Sequence, residues 1–285
     1  MTIEVFIPAY NCTDTLHKTL ASLVAQTDSD FSVCVVDDYS TEDIKSICDQ
    51  FQMLNLRFIR NEKNLGCGLS RQMAIDTSTA DYLIPLDSDD MLLPYAIAVF
   101  RGRALANPDY DFFVGYVYNE TTMPDGKQAI ALIKNGQTLV SGKMYKASFL
   151  KKYNIRNCEE FSRFADDTYI NMLSIELGKV GYIEIPLYLY TENPNSVTNV
   201  NGGKTYWNNV IPKFLKCIQK TTEHILRYKS IHEIQHLPMT MEYIRKVVLQ
   251  SGNDEYIRIY NQLACWLTEN YAKNIKYIKK EDQTW

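Results

Sequence analysis

Residues 82–90 join a short apolar run to a cluster of carboxylates. The apolar part is short enough to be one buried strand, and it ends in Asp87, Ser88, Asp89 and Asp90. Carboxylates this close together raise one another's pKa, so the ionised cluster needs a cation, basic side chains or good hydration. Aspartate oxygens suit Mg²⁺ or Mn²⁺, and Mg²⁺ typically takes one or two carboxylates while substrate phosphates complete its shell. The segment therefore predicts a metal site for a nucleotide diphosphate, unless residues 88–90 merely cap a following helix.

Two other strands near the start of the chain also end in polar side chains. Residues 3–8 lead into residues 9–11, and residues 31–36 lead into Asp37 and Asp38. Ligands of open α/β sheets bind in the crevice beyond the carboxyl ends of the strands. We therefore expect the three strand ends to meet at one site.

Strand and helix patterns alternate through the first part of the chain. Helical spacing covers residues 15–26, 44–51 and 69–76, and residues 57–60 have the pattern of a further strand. Residues 40–43 have the composition of a capping box for the second of these helices. This order predicts an α/β fold with a mostly parallel central sheet that helices cover.

The pattern changes after about residue 110. Residues 111–118 and 127–133 flank a Pro-Asp-Gly turn, which predicts an antiparallel hairpin. A short helix is expected over residues 148–153, a longer one over residues 166–177, and a strand over residues 180–190.

A soft domain boundary is expected near residue 203, beyond which the pattern becomes helical. The predicted domains are residues 1–203, with halves at 1–100 and 101–203, and a helical C-terminal extension over residues 204–285.

Charge and cysteine content exclude several classes of function. The formal net charge of −4 gives no electrostatic reason for binding nucleic acid. The seven cysteines are odd in number and lack a Cys-x-x-Cys pair, which argues against a disulfide framework and a zinc site. They are expected to be reduced thiols.

The sequence predicts a cytoplasmic protein, because no basic leader and no run of eighteen apolar residues occurs in it. Residues 271–280 mix apolar and lysine side chains. Such a segment suits either peripheral contact with the anionic inner face of a membrane or a solvated terminal helix.

Five short segments, in this order, carry a resemblance to a known family: residues 7–11, 20–27, 35–41, 64–66 with 70–71, and 86–90. Residues 3 to about 100 resemble the nucleotide-sugar-binding half of the family 2 inverting glycosyltransferases with the GT-A fold. The likeness continues more loosely to about residue 200, through residues 142–145, 161–169 and 186–198. It implies a Rossmann-like GT-A domain followed by a C-terminal extension.

The resemblance implies a set of nucleotide-sugar-binding residues. Tyr10 would stack on a uracil face, Asp38 would accept the base's imide N–H, and Asn11 would support the loop. For each of these the alternative is ordinary turn chemistry at a strand end. Arg71 would support the acidic cluster or the phosphates, or be a solvated helix arginine. The complete implied set is Pro8, Ala9, Tyr10, Asn11, Asp38, Arg71, Asp87 and Ser88.

The metal site implied by the resemblance uses two aspartates. Asp89 would ligate Mn²⁺ or Mg²⁺, and Asp87 would contact the ribose or a metal-bound water. Asp90 is expected to be a helix cap instead. The cation would neutralise charge on the departing diphosphate.

An acidic pair at the start of a helix, Asp166 and Asp167, is the implied source of the general base. Asp167 is the predicted base, and Asp166 would orient the acceptor. Helix N-terminal amides favour the ionised carboxylate that a base needs, although the same position also suits an N-cap.

The predicted function is the metal-dependent, inverting transfer of a sugar from a nucleotide sugar to a glycan or lipid-linked glycan in surface-glycan synthesis. Thr191 departs from the pattern, since similar enzymes often have Arg or His there, within reach of the diphosphate. Two alternatives remain at this point. They are a non-catalytic nucleotide-sugar-binding partner of a glycan synthase and a sugar nucleotidyltransferase.

Overall fold

The computed structural model describes residues 1–122, 128–133, 141–163, 166–193, 204–229, 237–270 and 279. The chain divides into two compact units. One consists of Met1–Ser174 and Gly178–Asn193, and the other of Ile175–Leu177 and Pro194–Trp285. The main division therefore follows Asn193, somewhat before the boundary expected near residue 203.

The first unit alternates strands and helices as the periodicity predicts. Its strands are β1 (Ile3–Ala9), β2 (Ser32–Asp37), β3 (Asn55–Arg60), β4 (Tyr82–Pro85), β5 (Met91–Leu92), β6 (Phe112–Thr122), β7 (Gln128–Ile133), β8 (Lys143–Lys146) and β9 (Val180–Tyr190). The helices of this part of the chain are α1 (Thr13–Val24), α2 (Ile44–Cys48), α3 (Cys67–Thr77), α4 (Ala96–Ala106), α5 (Ala147–Lys152) and α6 (Asp166–Leu177).

One mixed sheet runs through the described strands, in the order β3-β2-β1-β4-β8-β6-β9-β5, with β7 paired to β6. The first four of these strands are parallel to one another. Beyond β4, the pairings of β8 with β4 and β6, of β7 with β6, and of β5 with β9 are antiparallel, while β6 and β9 run parallel. The expected parallel arrangement therefore holds throughout the first four strands, whereas the rest of the sheet mixes parallel and antiparallel pairs.

Burial explains why β1 is apolar except at Glu4, which is ion-paired with Arg57. All seven of its residues are buried, because β1 lies in the middle of the sheet and helices cover it. On α1, Leu16, Leu20 and Leu23 are buried, which is the helical spacing seen in the sequence. The core thus forms around the strands whose ends carry the polar residues.

The capping of α2 differs from the expected capping box. Asp43 is the N-cap, and its side chain accepts a hydrogen bond from the Ser46 amide at 3.0 Å. Glu42 instead accepts hydrogen bonds from the Thr13 amide and hydroxyl, at 2.9 and 2.8 Å. The carboxylate of Glu42 therefore links the start of α1 to the loop before α2.

The second unit contains three described helices, α7 (Lys204–Ile225), α8 (Leu237–Ser251) and α9 (Asp254–Asn270), which pack on one another. Ile218, Val248 and Tyr260 are among their buried side chains. Within the described residues no helix is both long and apolar enough to cross a membrane. The expected membrane contact falls on residues 271–280, which lie outside the described residues except for Lys279.

Two glycines provide a matched test of the packing. A Cβ on Gly115 would lie 2.6 Å from Leu187 Cδ1, whereas a Cβ on Gly102 of α4 would meet nothing within 4 Å. Gly115→Ala should therefore destabilise the protein by about 1–3 kcal/mol, as overpacking does. Gly102→Ala should stabilise it by about 0.5–1 kcal/mol, because alanine loses less backbone entropy in a helix. Denaturant unfolding of both variants measures the two changes, and equal effects would contradict the packing described here.

Candidate active site

The ends of β2, β1 and β4 lie side by side, because these strands are neighbours and run parallel. Ala9 is in register with Asp37, and Phe6 with Pro85. The polar segments that follow the three strands therefore share one edge of the sheet, as expected from the sequence.

Hydrogen bonds join the loops after β1 and β2. The Asp38 amide donates to the Ala9 carbonyl at 2.8 Å, and the Asn11 amide donates to Ser40 Oγ at 3.0 Å. Asn11 has a φ of +46°, and its side-chain oxygen accepts from the Thr41 amide at 2.8 Å. Asn11 is therefore placed to support this loop.

The other predicted site residues at the end of β1 are Pro8, Ala9 and Tyr10. Pro8 and Ala9 are buried in the strand, so they shape the edge through their backbone. Tyr10 is 51% exposed, which leaves its ring accessible to a ligand.

Asp38 is buried, and its carboxylate accepts hydrogen bonds from the protein itself. Its Oδ1 accepts from Asn61 Nδ2 at 2.8 Å and from the Leu65 amide at 2.7 Å, and its Oδ2 accepts from the Gly66 amide at 2.7 Å. Both oxygens therefore hold the loop that precedes α3. The contact to a base imide stays a prediction, and it would have to use the remaining acceptor capacity of Oδ2.

Arg71 of α3 joins two of the predicted site carboxylates. It is buried and forms ion pairs with both Asp87, after β4, and Asp166, at the start of α6. Burial opposes its charge, but the adjacent carboxylates hold the pKa of Arg71 above its usual value. The solvated-arginine alternative is thus wrong, and Arg71 supports the acidic cluster.

Glycine allows α3 to approach α6 this closely. The Gly68 amide donates to the Ser162 carbonyl at 2.9 Å. A Cβ on Gly68 would lie 2.8 Å from Asp166 Cβ and 2.9 Å from Ser162 Cα, and a real Cβ does not tolerate such contacts. Gly68 is therefore required for the close packing of α3 against this part of the chain.

The acidic pair lies in the first turn of α6. Asp166 is engaged by Arg71, while Asp167 Oδ1 accepts from the Thr168 amide at 2.7 Å. Burial, followed by the charge of Asp166, raises the pKa of Asp167 to about 6. A carboxylate with this pKa is ionised at neutral pH and is more basic than an ordinary aspartate.

Residues 87–89 are held from two sides. Thr19 Oγ1 of α1 donates to the Ser88 carbonyl at 2.9 Å, and Asn193 Nδ2 donates to Asp89 Oδ2 at 2.8 Å. Burial raises the pKa of Asp89, and the Asp87 charge adds to this effect. A cation beside Asp89 would stabilise its ionised form and so oppose this rise in pKa.

Asp90 is not a helix cap. Its Oδ2 accepts from the Tyr188 hydroxyl at 2.7 Å, and its Oδ1 accepts from the Thr191 amide at 2.8 Å. The next helix begins only at Ala96, after the short strand β5. Burial, followed by the charge of Asp87, raises the pKa of Asp90 to about 8. Asp90 therefore ties the loop after β4 to the end of β9, where Thr191 contributes its amide.

The carboxylates fit a cation that takes few protein ligands. No group of three or more His, Cys, Asp or Glu side chains in the described part of the chain is arranged to hold a metal by itself. Asp87 is partly exposed and Asp89 has a raised pKa. Two carboxylates of this kind match Mg²⁺ or Mn²⁺ with substrate phosphates as further ligands.

The burial of a lysine near the acidic pair was not predicted from the sequence. Lys143 of β8 is 1% exposed, and its Nζ donates to Asn171 Oδ1 at 2.7 Å, where the Tyr145 hydroxyl also donates at 3.1 Å. Burial lowers the pKa of Lys143 to about 7, and the charge of Asp167 opposes this. No local signal in the sequence indicates this burial, since lysine side chains usually reach solvent.

The Tyr188 hydroxyl accepts from the Asp87 amide at 3.2 Å and donates to Asp90. Tyr188→Phe should lower the free energy of unfolding by about 1–3 kcal/mol, because two buried polar groups lose a partner. The control Tyr95→Phe removes a hydroxyl from a side chain that is 38% exposed and should change stability by less than about 0.5 kcal/mol. Urea unfolding compares the two, and equal losses would show that the bridge carries no stability.

Comparison with known proteins agrees with this geometry. The family model described as Glycosyl transferase family 2 matches residues 4–167, which is more than half of the chain. Glycosyltransferase GlyG of Streptococcus pneumoniae is 23% identical over 273 residues, covering 85% of this chain and 89% of that protein.

Two solved structures share the fold. Staphylococcus aureus TarS 1–349 in complex with UDP-GlcNAc has a TM-score of 0.59 at 18% identity, over 99% of this chain and 78% of that one. Mannosyltransferase PcManGT from Pyrobaculum calidifontis in complex with GDP-Man and Mn²⁺ has a TM-score of 0.60 at 14% identity, over 95% and 76%. With a GT-A fold and a family match over residues 4–167, the chain belongs to glycosyl transferase family 2 and is a glycosyltransferase.

Proposed function

We propose that the chain transfers a sugar from a UDP-sugar to an acceptor hydroxyl, with a divalent cation and with inversion at the anomeric carbon. The observation that carries this proposal is the Arg71 bridge between Asp87 and Asp166. It joins the predicted metal and donor region after β4 to the acidic pair of α6. Donor activation and proton removal are thereby assigned to one connected set of side chains.

Asp89 and Asp87 are the proposed holders of Mn²⁺ or Mg²⁺. A bound cation would supply Lewis-acid stabilisation of the charge that develops on the departing diphosphate. Arg71 keeps Asp87 oriented, and Asn193 orients Asp89. The Mn²⁺ in the PcManGT structure supports the choice of a divalent ion.

Uridine is the proposed base, and Tyr10 is its proposed stacking partner. Support comes from the likeness of residues 7–11 and 35–41 to the family and from the UDP-GlcNAc in the TarS structure. The half-exposed ring of Tyr10 is accessible for this contact.

Asp167 is the proposed general base. Asp166 is held in its ion pair with Arg71, whereas Asp167 is not held by that ion pair; burial raises the pKa of both carboxyls, that of Asp167 to about 6. A base of this strength can take the proton from the acceptor hydroxyl as it attacks the anomeric carbon. Asp166 therefore positions the start of α6 and does not itself accept the proton.

The proposed acceptor is a hydroxyl of a glycan or a lipid-linked glycan in surface-glycan synthesis, as the family likeness suggests. Release of free nucleoside diphosphate in the presence of the acceptor is the product expected of this reaction. Release of pyrophosphate from a nucleoside triphosphate would indicate a nucleotidyltransferase instead.

Asp89→Ala should abolish the part of donor binding that depends on the cation. Thermal unfolding with UDP-sugar is the measurement, with and without Mn²⁺, because a ligand that binds only the folded state raises the melting temperature. The wild type and the surface control Asp49→Ala should show an additional shift with Mn²⁺. A shift of the same size in Asp89→Ala would remove Asp89 from the metal site.

Asp167→Asn should retain donor binding but lower turnover by about 10²- to 10⁴-fold, the usual contribution of a general base. In the wild type, turnover should fall about tenfold per pH unit below about pH 6, because the protonated carboxyl cannot accept the proton. The variant should lack this acidic limb, and the surface control Asp109→Asn should retain it. Unaltered turnover in Asp167→Asn, or a wild-type limb near pH 4, would exclude this base.

A further inference from the structure

Tyr39 has an unfavourable backbone conformation. Its φ is +64°, in the left-handed region that bulky L-residues rarely adopt and that glycine adopts without cost. The side chain is 52% exposed, so burial of the ring does not compensate for this strain. A strained residue with an accessible aromatic ring at a polar strand end indicates a ligand contact.

The residues on both sides of Tyr39 enforce its conformation. Before it, the Asp38 carboxylate accepts hydrogen bonds from the loop that precedes α3. After it, the Ser40 amide donates to Asp37 Oδ1 at 2.9 Å, and Arg60 Nη2 donates to the Ser40 carbonyl at 2.8 Å. The strain persists because the surrounding structure over-determines it.

Arg60 also restrains the ring of Tyr39. Its guanidinium lies 5.5 Å from the ring centroid and is ion-paired with the buried Asp37. A cation at this distance is attracted to the face of an aromatic ring. The ring is therefore partly ordered before any ligand arrives, which reduces the entropy lost on binding.

Tyr10 lies beside Tyr39 at the neighbouring strand end. The hydrogen bonds Asp38 N to Ala9 O and Asn11 N to Ser40 Oγ bracket the two tyrosines, one bond on each side. Tyr10 is 51% exposed and Tyr39 is 52% exposed. Accessible aromatic side chains on two neighbouring backbone segments suit a flat partner such as a nucleobase, which stacks on aromatic side chains.

We propose that Tyr39, together with Tyr10, forms the contact surface for the nucleobase of the donor, and that the strained backbone at residue 39 is retained for this contact. The inference rests on the proposed nucleotide-sugar function. It assigns Tyr39 to base recognition, while Asp87 and Asp89 remain with the diphosphate and its cation.

The test compares Tyr39→Phe, Tyr39→Ala and Tyr39→Gly with the wild type in calorimetric titrations of UDP with Mn²⁺. Inorganic pyrophosphate with Mn²⁺ is the probe that lacks a base. Tyr39→Phe keeps the ring and should bind UDP as the wild type does. Tyr39→Ala and Tyr39→Gly should both bind UDP about tenfold more weakly, as expected for the loss of one stacked base contact. Pyrophosphate affinity should be the same in all four proteins.

The alanine and glycine variants also distinguish the effect of the missing ring from the effect of the backbone conformation. Both lack the ring, but only glycine adopts the positive φ freely, so Tyr39→Gly should melt about 2–4 °C above Tyr39→Ala in the absence of ligand. Equal melting temperatures would overturn the proposed backbone strain.

Wild-type UDP affinity in Tyr39→Ala and Tyr39→Gly would overturn the assignment and leave the proposed function standing. A loss in Tyr39→Phe as large as that in Tyr39→Ala would also overturn it, because the hydroxyl rather than the ring would then make the contact. A wild type that binds no nucleoside diphosphate would defeat the proposed function itself and the inference with it.

Discussion

The buried guanidinium of Arg71 is the interaction on which the site depends. It lies between the Asp87 and Asp166 carboxylates, and therefore joins the end of β4 to the start of α6. Loss of one partner from such a buried cluster typically costs about 3–5 kcal/mol, because an uncompensated charge remains. The close approach that Gly68 allows is the steric condition for this bridge. Sheet and helix are thus held together by the same charges that lie in the proposed site.

The positions of the strand ends could be predicted from the sequence, while the partners of their side chains could not. The apolar runs that end at Ala9, Asp37 and Pro85 are local patterns, and the rules for parallel sheets bring their ends together. Asp90 looked like a local helix cap, but its partner is Tyr188, about a hundred residues away in sequence. Contacts of that separation depend on the mixed half of the sheet, whose strand order has no local signal.

The burial of Lys143 also could not be predicted from the sequence. A lysine in a short strand gives no indication of its burial, because long cationic side chains usually reach solvent. Here the Asn171 carboxamide, one turn beyond Asp167 on α6, accepts its hydrogen bond inside the protein. Burial lowers the pKa of Lys143 while Asp167 opposes that change, so the charges of the two groups depend on each other. The pKa of Asp167 itself is raised by burial and by Asp166 and lowered by Arg71, so the basicity of the proposed base is a property of α3 and α6 together.

The raised pKa values of Asp89 and Asp90 have a consequence for any measurement of ion binding to this loop. Asp90, whose pKa is raised to about 8, carries a proton over part of the neutral range, and the charge of a divalent cation at the neighbouring Asp89 favours the release of that proton. The released protons are taken up by the buffer. Heats of binding recorded in buffers with different ionisation enthalpies should consequently differ, and the slope of that dependence counts the protons displaced from the loop.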